Sequence, residues 1–348
     1  MSRVEFNMPP RRILIIKPSA IGDVVHALPV LNLLRRRWPG AHVSWLVTPA
    51  CAGLLERHPQ LDEVIRFERR EFGRGWRSPR VAADLVRFMR DLGLRRFDLV
   101  IDLQGLFRSG WLAWATKAPV RVGPANAREG AWLFYTHRVS TGAVEQHAIE
   151  RYLTLAEAVG CERGPVEFHF AVDEGDRAYV KGLTPERFAV LMPGANWVTK
   201  QWPVERFAGL VGPLRDRFGL ECVVAGGPDV AGLAARVPTA VNLAGKTNLR
   251  QLVALLERAE LVVANDSGPM HIAAALGRPL VTPFGPTNPV RTGPYRRMDS
   301  VVRVDIPCSP CYSRRCSHVS CLQWIGTAPV MELAETQMNR SGLAAAAG

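Results

Sequence analysis

The sequence predicts an α/β protein made of two doubly wound domains. Three observations carry this. Short apolar runs that read as strands alternate with helix-like segments. The alternation stops and restarts between residues 160 and 185. The chain has 348 residues, 47% of them hydrophobic, which suits two domains of ordinary size, each with its own core.

Ile13 to Ile16 reads as a buried strand and Asp23 to Arg37 as a helix, closed by Trp38-Pro39-Gly40. His42 to Val47 and Glu63 to Phe67 are the next strands. Val81 to Leu92 is a helix that stops at Gly93, Asp98 to Asp102 a buried strand, and His147 to Val159 a helix closed by Gly160. The second series begins with the strand Phe188 to Met192 and a helix from Val204 to Arg217. A strand follows from Glu221 to Ala225, then a helix from Leu249 to Arg258 and a strand from Leu261 to Ala264. Met270 to Leu276 is a helix and Pro279 to Phe284 a strand. Ligands in such folds sit beyond the carboxyl ends of the strands, so the expected site is the cleft faced by the two domains.

Composition excludes several functions. No apolar run approaches the roughly 18 residues of a membrane span. The four-residue run Ile13 to Ile16 is too short for a signal peptide, so the expected compartment is the cytoplasm. The net charge is +12, and residues 1–150 hold 23 Lys/Arg against 14 Asp/Glu. The first half is therefore the expected face for an acidic partner, or else a solvated arginine-rich surface. The aromatics form no stacking platform, so nucleic acid is not an expected partner.

Four segments are candidates for chemistry. Lys17 to His26 follows the first strand and opens a helix, but Gly22 alone does not make the glycine fingerprint of a dinucleotide site. The second strand ends near Thr48 where such a site needs an acidic residue, which argues against a nicotinamide oxidoreductase. Asp23 reads as a helix cap or as a general base, and His26 as its neighbour or as a core histidine. In Asp102 to Arg108, Gln104 and Arg108 are candidates to meet a polar ligand. In Pro193 to Pro203, Lys200 lies between two tryptophans and suits a phosphate. In Asn265 to His271, the amides of Asp266, Ser267 and Gly268 open a helix and make an anion site, with Asp266 expected to order the loop through backbone N–H bonds.

Cys51, Cys161 and Cys222 are isolated and read as buried apolar residues. Cys308, Cys311, Cys316 and Cys321 are spaced C-x2-C-x4-C-x4-C, which allows a tetrahedral structural zinc or iron site. Disulfides and four unligated thiols are the other readings, the first disfavoured in a reducing compartment.

Ile13-Leu-Ile-Ile-Lys-Pro-Ser-Ala-Ile-Gly-Asp-Val-Val-His-Ala-Leu-Pro29 resembles the opening of glycosyltransferase family 9, the ADP-heptose:lipopolysaccharide heptosyltransferases. Val100-Ile-Asp-Leu-Gln-Gly105, Asn265-Asp-Ser-Gly-Pro-Met-His271 and Phe284-Gly-Pro-Thr287 resemble further family segments, in order. The resemblance implies a GT-B architecture of two Rossmann-like domains: 1–165 for the acceptor, 180–330 for the nucleotide sugar, then a tail at 331–348. It implies inverting transfer of heptose from ADP-heptose to the Kdo region of lipopolysaccharide, with no cofactor needed for catalysis. The alternatives are a second-heptose or protein heptosyltransferase, or a non-catalytic nucleotide-binding module. By the resemblance Asp23 is the catalytic base. Lys200, Asp266, Ser267, Gly268 and His271 hold the donor, and Gln104 contacts the acceptor. Arg69, Arg70 and Arg74 are candidates for the acceptor's carboxylates and phosphates. The enzyme is then expected at the cytoplasmic face of the inner membrane, as a peripheral protein. Two places depart from the family pattern: Val230 and Ala231 stand where relatives can have a glutamate, and Ala195 and Asn196 where some have threonines.

Overall fold

The computed structural model describes residues 4–73, 78–143 and 145–342. The chain divides into two compact units between Ala171 and Val172. Each is a six-stranded parallel sheet with helices, the α/β architecture the sequence predicts.

The first unit contains β1 (Arg12–Ile16), β2 (His42–Val47), β3 (Glu63–Arg66), β4 (Leu99–Asp102), β5 (Val120–Pro124) and β6 (His137–Val139), in the order β3-β2-β1-β4-β5-β6. The strand order reverses between β1 and β4, the switch point at which such sheets carry their ligands. Parallel strands are covered on both faces, so they read as unbroken apolar runs. Ile13 to Ile16 and Leu99 to Ile101 are wholly buried. Leu14, Ile16, Phe67, Phe97, Val100 and Leu112 share one core cluster. The helix Ile21–Arg37 buries a long apolar face, with the His26 ring edge-on to His147 at 5.0 Å.

The second unit contains β7 (Phe188–Met192), β8 (Glu221–Val224), β9 (Val241–Asn242), β10 (Leu261–Ala264), β11 (Leu280–Pro283) and β12 (Val301–Val302), in the order β12-β11-β10-β7-β8-β9. Its core gathers Trp202, Phe207, Phe218, Val263, Met331 and Met338.

The sequence pattern missed several elements. The helix expected from Val204 to Arg217 is two, Val204–Ala208 and Val211–Phe218. Pro213 has no N–H to bond the carbonyl of Gly209, so the ladder breaks there. The residues from 331, expected as a tail, continue a helix Thr327–Arg340 whose Val330, Met331, Ala334 and Met338 are buried. The helix Phe107–Ala115 and strands β5 and β6 were also unread. β5 ends in Gly123-Pro124, which reads as a turn. Gly123 is needed for space: a Cβ there would lie 2.3 Å from the Tyr135 ring.

Replacing that glycine tests the packing. Gly123→Ala is expected to lower the unfolding free energy by about 1–3 kcal/mol, the usual cost of overpacking. Urea denaturation reads this as a lower midpoint, and an unchanged midpoint would mean that the Tyr135 ring yields freely.

Candidate active site

The end of β1 delivers Lys17 directly into the loop that opens the helix Ile21–Arg37. One carboxylate oxygen of Asp23 accepts the Ala20 N–H at 3.0 Å, which caps the helix start. The other oxygen lies 3.5 Å from Lys17 Nζ and accepts the Tyr152 hydroxyl at 3.4 Å. The cap and base readings of Asp23 are therefore compatible. The side chain keeps 42% of its surface exposed, while the Lys17 side chain beside it keeps 3%. A carboxylate open to solvent and fixed from behind can take a proton from an approaching hydroxyl.

Lys17 donates to the Leu103 carbonyl at 3.2 Å and lies 4.9 Å from the centre of the Tyr152 ring. Burial works against its charge, but Asp23 and Tyr152, with Asp102 behind them, outweigh it and hold the ammonium above its ordinary value. Burial, opposed by Lys17 and reinforced by Asp23, pushes the Tyr152 phenol up, so it stays a donor.

Asp102 closes β4 and is wholly buried. It accepts the Tyr135 hydroxyl at 2.6 Å and the Gln104 and Gly105 N–H groups at 2.8 and 3.2 Å. Burial nevertheless pushes its carboxyl up. These bonds shape the turn that carries Gln104, whose buried Oε1 has no partner among the described residues. Arg69 reaches the same loop as Asp23, its Nη1 donating to Ser19 Oγ at 3.3 Å. Arg74 and the side chain of Arg70 lie outside the described residues. His26 is a core residue on the buried face of its helix.

In the second unit, Asn265 follows β10 and ties two loops together. Its Oδ1 accepts the Trp202 N–H at 3.0 Å and its Nδ2 donates to the Pro193 carbonyl at 2.7 Å. This fixes both ends of the segment that carries Lys200. Lys200 Nζ lies 2.7 Å from Asp266 Oδ2 and 4.6 Å from the centre of the Trp197 ring. The Arg314 guanidinium lies 4.7 Å from the same ring. Thr287 donates its hydroxyl to Asp266. Asp266 thus holds a side-chain pair, Lys200 and Thr287, in place of the backbone N–H bonds expected from sequence. Ser267 is the N-cap of the helix Gly268–Ala275, makes no capping bond, and its buried Oγ has no partner among the described residues. His271 is buried one turn into that helix. A lysine, a bare helix N-terminus and an unspent hydroxyl together suit an anion.

The departure at Val230 has a physical reason. It is 4% exposed and wedges against Gly194 and Gly226, where an added Cβ would lie 2.6 and 2.7 Å from it. Asp229 is the exposed carboxylate of that loop. Cys51, Cys161 and Cys222 are buried. Of the other four, Cys321 is buried and Cys308, Cys311 and Cys316 are exposed. Among the described residues no three His, Cys, Asp or Glu side chains form a group ready to hold a metal ion. Sequence reasoning missed Lys17, Tyr152, Asp102 and Thr287. Tyr152 meets Asp23 across 129 residues, and nothing local announces it.

A parallel α/β unit with an open carboxylate beyond β1, and a second with a lysine beside a helix N-terminus, can supply a base and an anion site, the equipment of a group-transfer enzyme. Residues 85–321 match the model of glycosyltransferase family 9 (heptosyltransferase), and the chain belongs to that family. Lipopolysaccharide heptosyltransferase 1 of Pseudomonas aeruginosa is 33% identical over 315 residues, 88% of each chain. Among solved structures, the E. coli heptosyltransferase WaaC with ADP is 28% identical, with a TM-score of 0.75 over 94% of this chain and 99% of that one. The E. coli ADP-heptose lps heptosyltransferase II is 27% identical, with a TM-score of 0.76 over 95% of this chain and 99% of that one. The family resemblance read from the sequence is borne out. Among the described residues no helix is long and apolar enough to cross a membrane.

Proposed function

We propose that this glycosyltransferase moves heptose from ADP-heptose to the Kdo region of a lipopolysaccharide precursor, with inversion at the anomeric carbon. The observation that carries it is the half-exposed Asp23 carboxylate, fixed by Ala20, Lys17 and Tyr152 at the end of β1. Direct displacement needs a base for the acceptor hydroxyl and a stabiliser for the departing diphosphate. In this reading the unit before residue 172 binds the acceptor, with Asp23 as base and Gln104, Arg69, Arg70 and Arg74 as its contacts. The second unit binds the donor through Lys200, Asp266, Ser267, Gly268 and His271. Lys200 and the helix N-terminus neutralise the leaving diphosphate, so no catalytic metal is required. The similarity to WaaC with ADP supports an ADP-linked donor. The likeness to heptosyltransferase 1 of P. aeruginosa supports the first-heptose reading for this chain, while the likeness to heptosyltransferase II supports a second reading, transfer onto an existing heptose. Incubation with ADP-heptose and either Kdo-lipid A or heptosyl-Kdo-lipid A separates them: the first is expected to be elongated. The same reading places the enzyme in the cytoplasm, on the inner-membrane surface.

Asp23→Asn keeps an acceptor oxygen for Ala20 but loses the base. Turnover is expected to fall at least about 100-fold, with ADP binding nearly unchanged. Near wild-type turnover would sink the assignment.

Lys200→Ala is expected to weaken ADP binding in calorimetry as well as to slow transfer. Activity is expected to survive EDTA. Loss with EDTA, restored by magnesium or manganese, would give the leaving group to a metal.

The four-cysteine loop we assign to a structural zinc or iron. Its support is the spacing of four free thiols in one short segment, Cys321 buried and Cys308, Cys311 and Cys316 exposed. Metal binding requires the three exposed thiols to close on Cys321. Protein purified under reducing conditions is expected to carry about one equivalent of zinc or iron, since structural ions are held tightly; less than about a tenth would dispose of the site.

A further inference from the structure

The exposed apolar side chains of the first unit are not scattered. Val86, Leu94, Phe107, Trp114, Trp132 and Leu133 are all well exposed. Among the described residues of that unit, Met8 is the one other large hydrophobic so exposed. Two neighbouring helices organise the cluster. Phe107, Trp111 and Trp114 fall at i, i+4 and i+7 on the helix Phe107–Ala115, so they share one face. On the helix Pro79–Leu94, Leu85, Val86 and Met89 turn toward them. Between the helices runs a groove of about 580 Å³ lined by Leu85, Val86, Met89, Trp111, Trp114 and Ala115.

The rim of this groove is basic. Arg90, Lys117 and Arg121 line it and no carboxylate does. Arg121 is spent on the structure, donating to the carbonyls of Phe134 and Ala118. Arg90 and Lys117 are exposed and have no side-chain partner among the described residues. The wider segment repeats the bias: residues 78–140 hold ten Lys/Arg and five Asp/Glu. Four of those five acids are already engaged. Asp84 pairs with Arg87, Asp98 accepts backbone N–H groups of Arg11 and Arg12, Asp102 is buried, and Glu129 accepts the Phe107 N–H.

A soluble surface rarely spends an exposed tryptophan and phenylalanine, with a second tryptophan half-buried between them, on one strip. Aromatic side chains with free cations beside them match the interface of an anionic bilayer: rings at headgroup depth, ammonium and guanidinium groups on lipid phosphates. We propose that the ridge formed by the helices Pro79–Leu94 and Phe107–Ala115 is the surface by which this enzyme docks on anionic lipid bilayers. Trp114, Phe107 and Val86 enter the interface, and Arg90 and Lys117 engage the headgroups. The proposal deepens the membrane part of the proposed function. It is separable from the acceptor assignment, because it needs no sugar on the lipid.

The test is co-sedimentation with vesicles of phosphatidylcholine alone and of phosphatidylcholine with phosphatidylglycerol, at low and high salt. The wild-type protein is expected to bind the anionic vesicles at least about tenfold more strongly than the neutral ones, and less as salt rises. Val86→Ser with Trp114→Ser is expected to cut binding at least about tenfold. Arg90→Glu with Lys117→Glu, which changes exposed side chains only, is expected to do the same and to flatten the salt dependence. ADP binding of all variants is expected to stay at the wild-type value, which separates a docking defect from a folding one. Three results would each overturn the proposal. One is no preference for anionic vesicles in the wild type. Another is unchanged vesicle binding in both double variants. The third is a concentration-dependent dimer that both variants abolish, which would make the ridge an interface between copies of the chain.

Discussion

A sheet of parallel strands covered by helices on both faces has no wet side. The residues of its central strands are spent on packing, and a polar side chain there can meet a ligand only where a strand stops. The chemistry of this protein obeys that constraint. Lys17 follows β1, Asp102 closes β4, and Asn265 and Asp266 follow β10. Each of these side chains is buried, and most of the bonds they make are to backbone or side chains of neighbouring loops. The loops are consequently held by polar groups whose desolvation has already been met by the fold, and less buried residues such as Asp23 are presented on a fixed frame.

The two units use charge differently. Around Asp23 a buried cation stands behind an exposed anion, so the negative group faces outward. Around Lys200 the order is reversed: Asp266 is the more buried partner and fixes the ammonium from behind. In both pairs the inner member is satisfied by more than its ionic partner, Lys17 by the Leu103 carbonyl and Asp266 by Thr287. When the outer member turns to a substrate, the inner charge still keeps one polar partner.

Much of this was legible in the sequence. The apolar runs of β1, β2, β4, β7 and β10 announce themselves because strands buried on both faces leave no polar positions to blur the pattern. Asp23, Lys200 and the Asp266 loop were legible because each follows such a run. β5 and β6 were not, since a three-residue strand and one ending in Gly-Pro carry no period to detect. The partners of the site were not legible either. Tyr152 and Tyr135 arrive from helix and turn positions distant in sequence, and their hydroxyls have no local signature. Asp266 was misread in its partner alone: a carboxylate at a helix start usually binds amides, and only the fold brings Lys200 and Thr287 to it.

The segment after β12 is more than an appendage to the second unit. Ser313 offers its carbonyl to the Thr199 hydroxyl at 2.8 Å, Arg314 lies on the Trp197 ring, and the Trp202 indole donates to the Ile325 carbonyl at 2.9 Å. Each bond lands on the short stretch that contains Lys200. The last strand of the sheet ends at Val302, yet the wall behind its lysine is supplied by residues 313–325. Chain length and site geometry are thereby tied together: a version shortened after the sheet would keep every strand of the second unit and lose the backing of its principal cation.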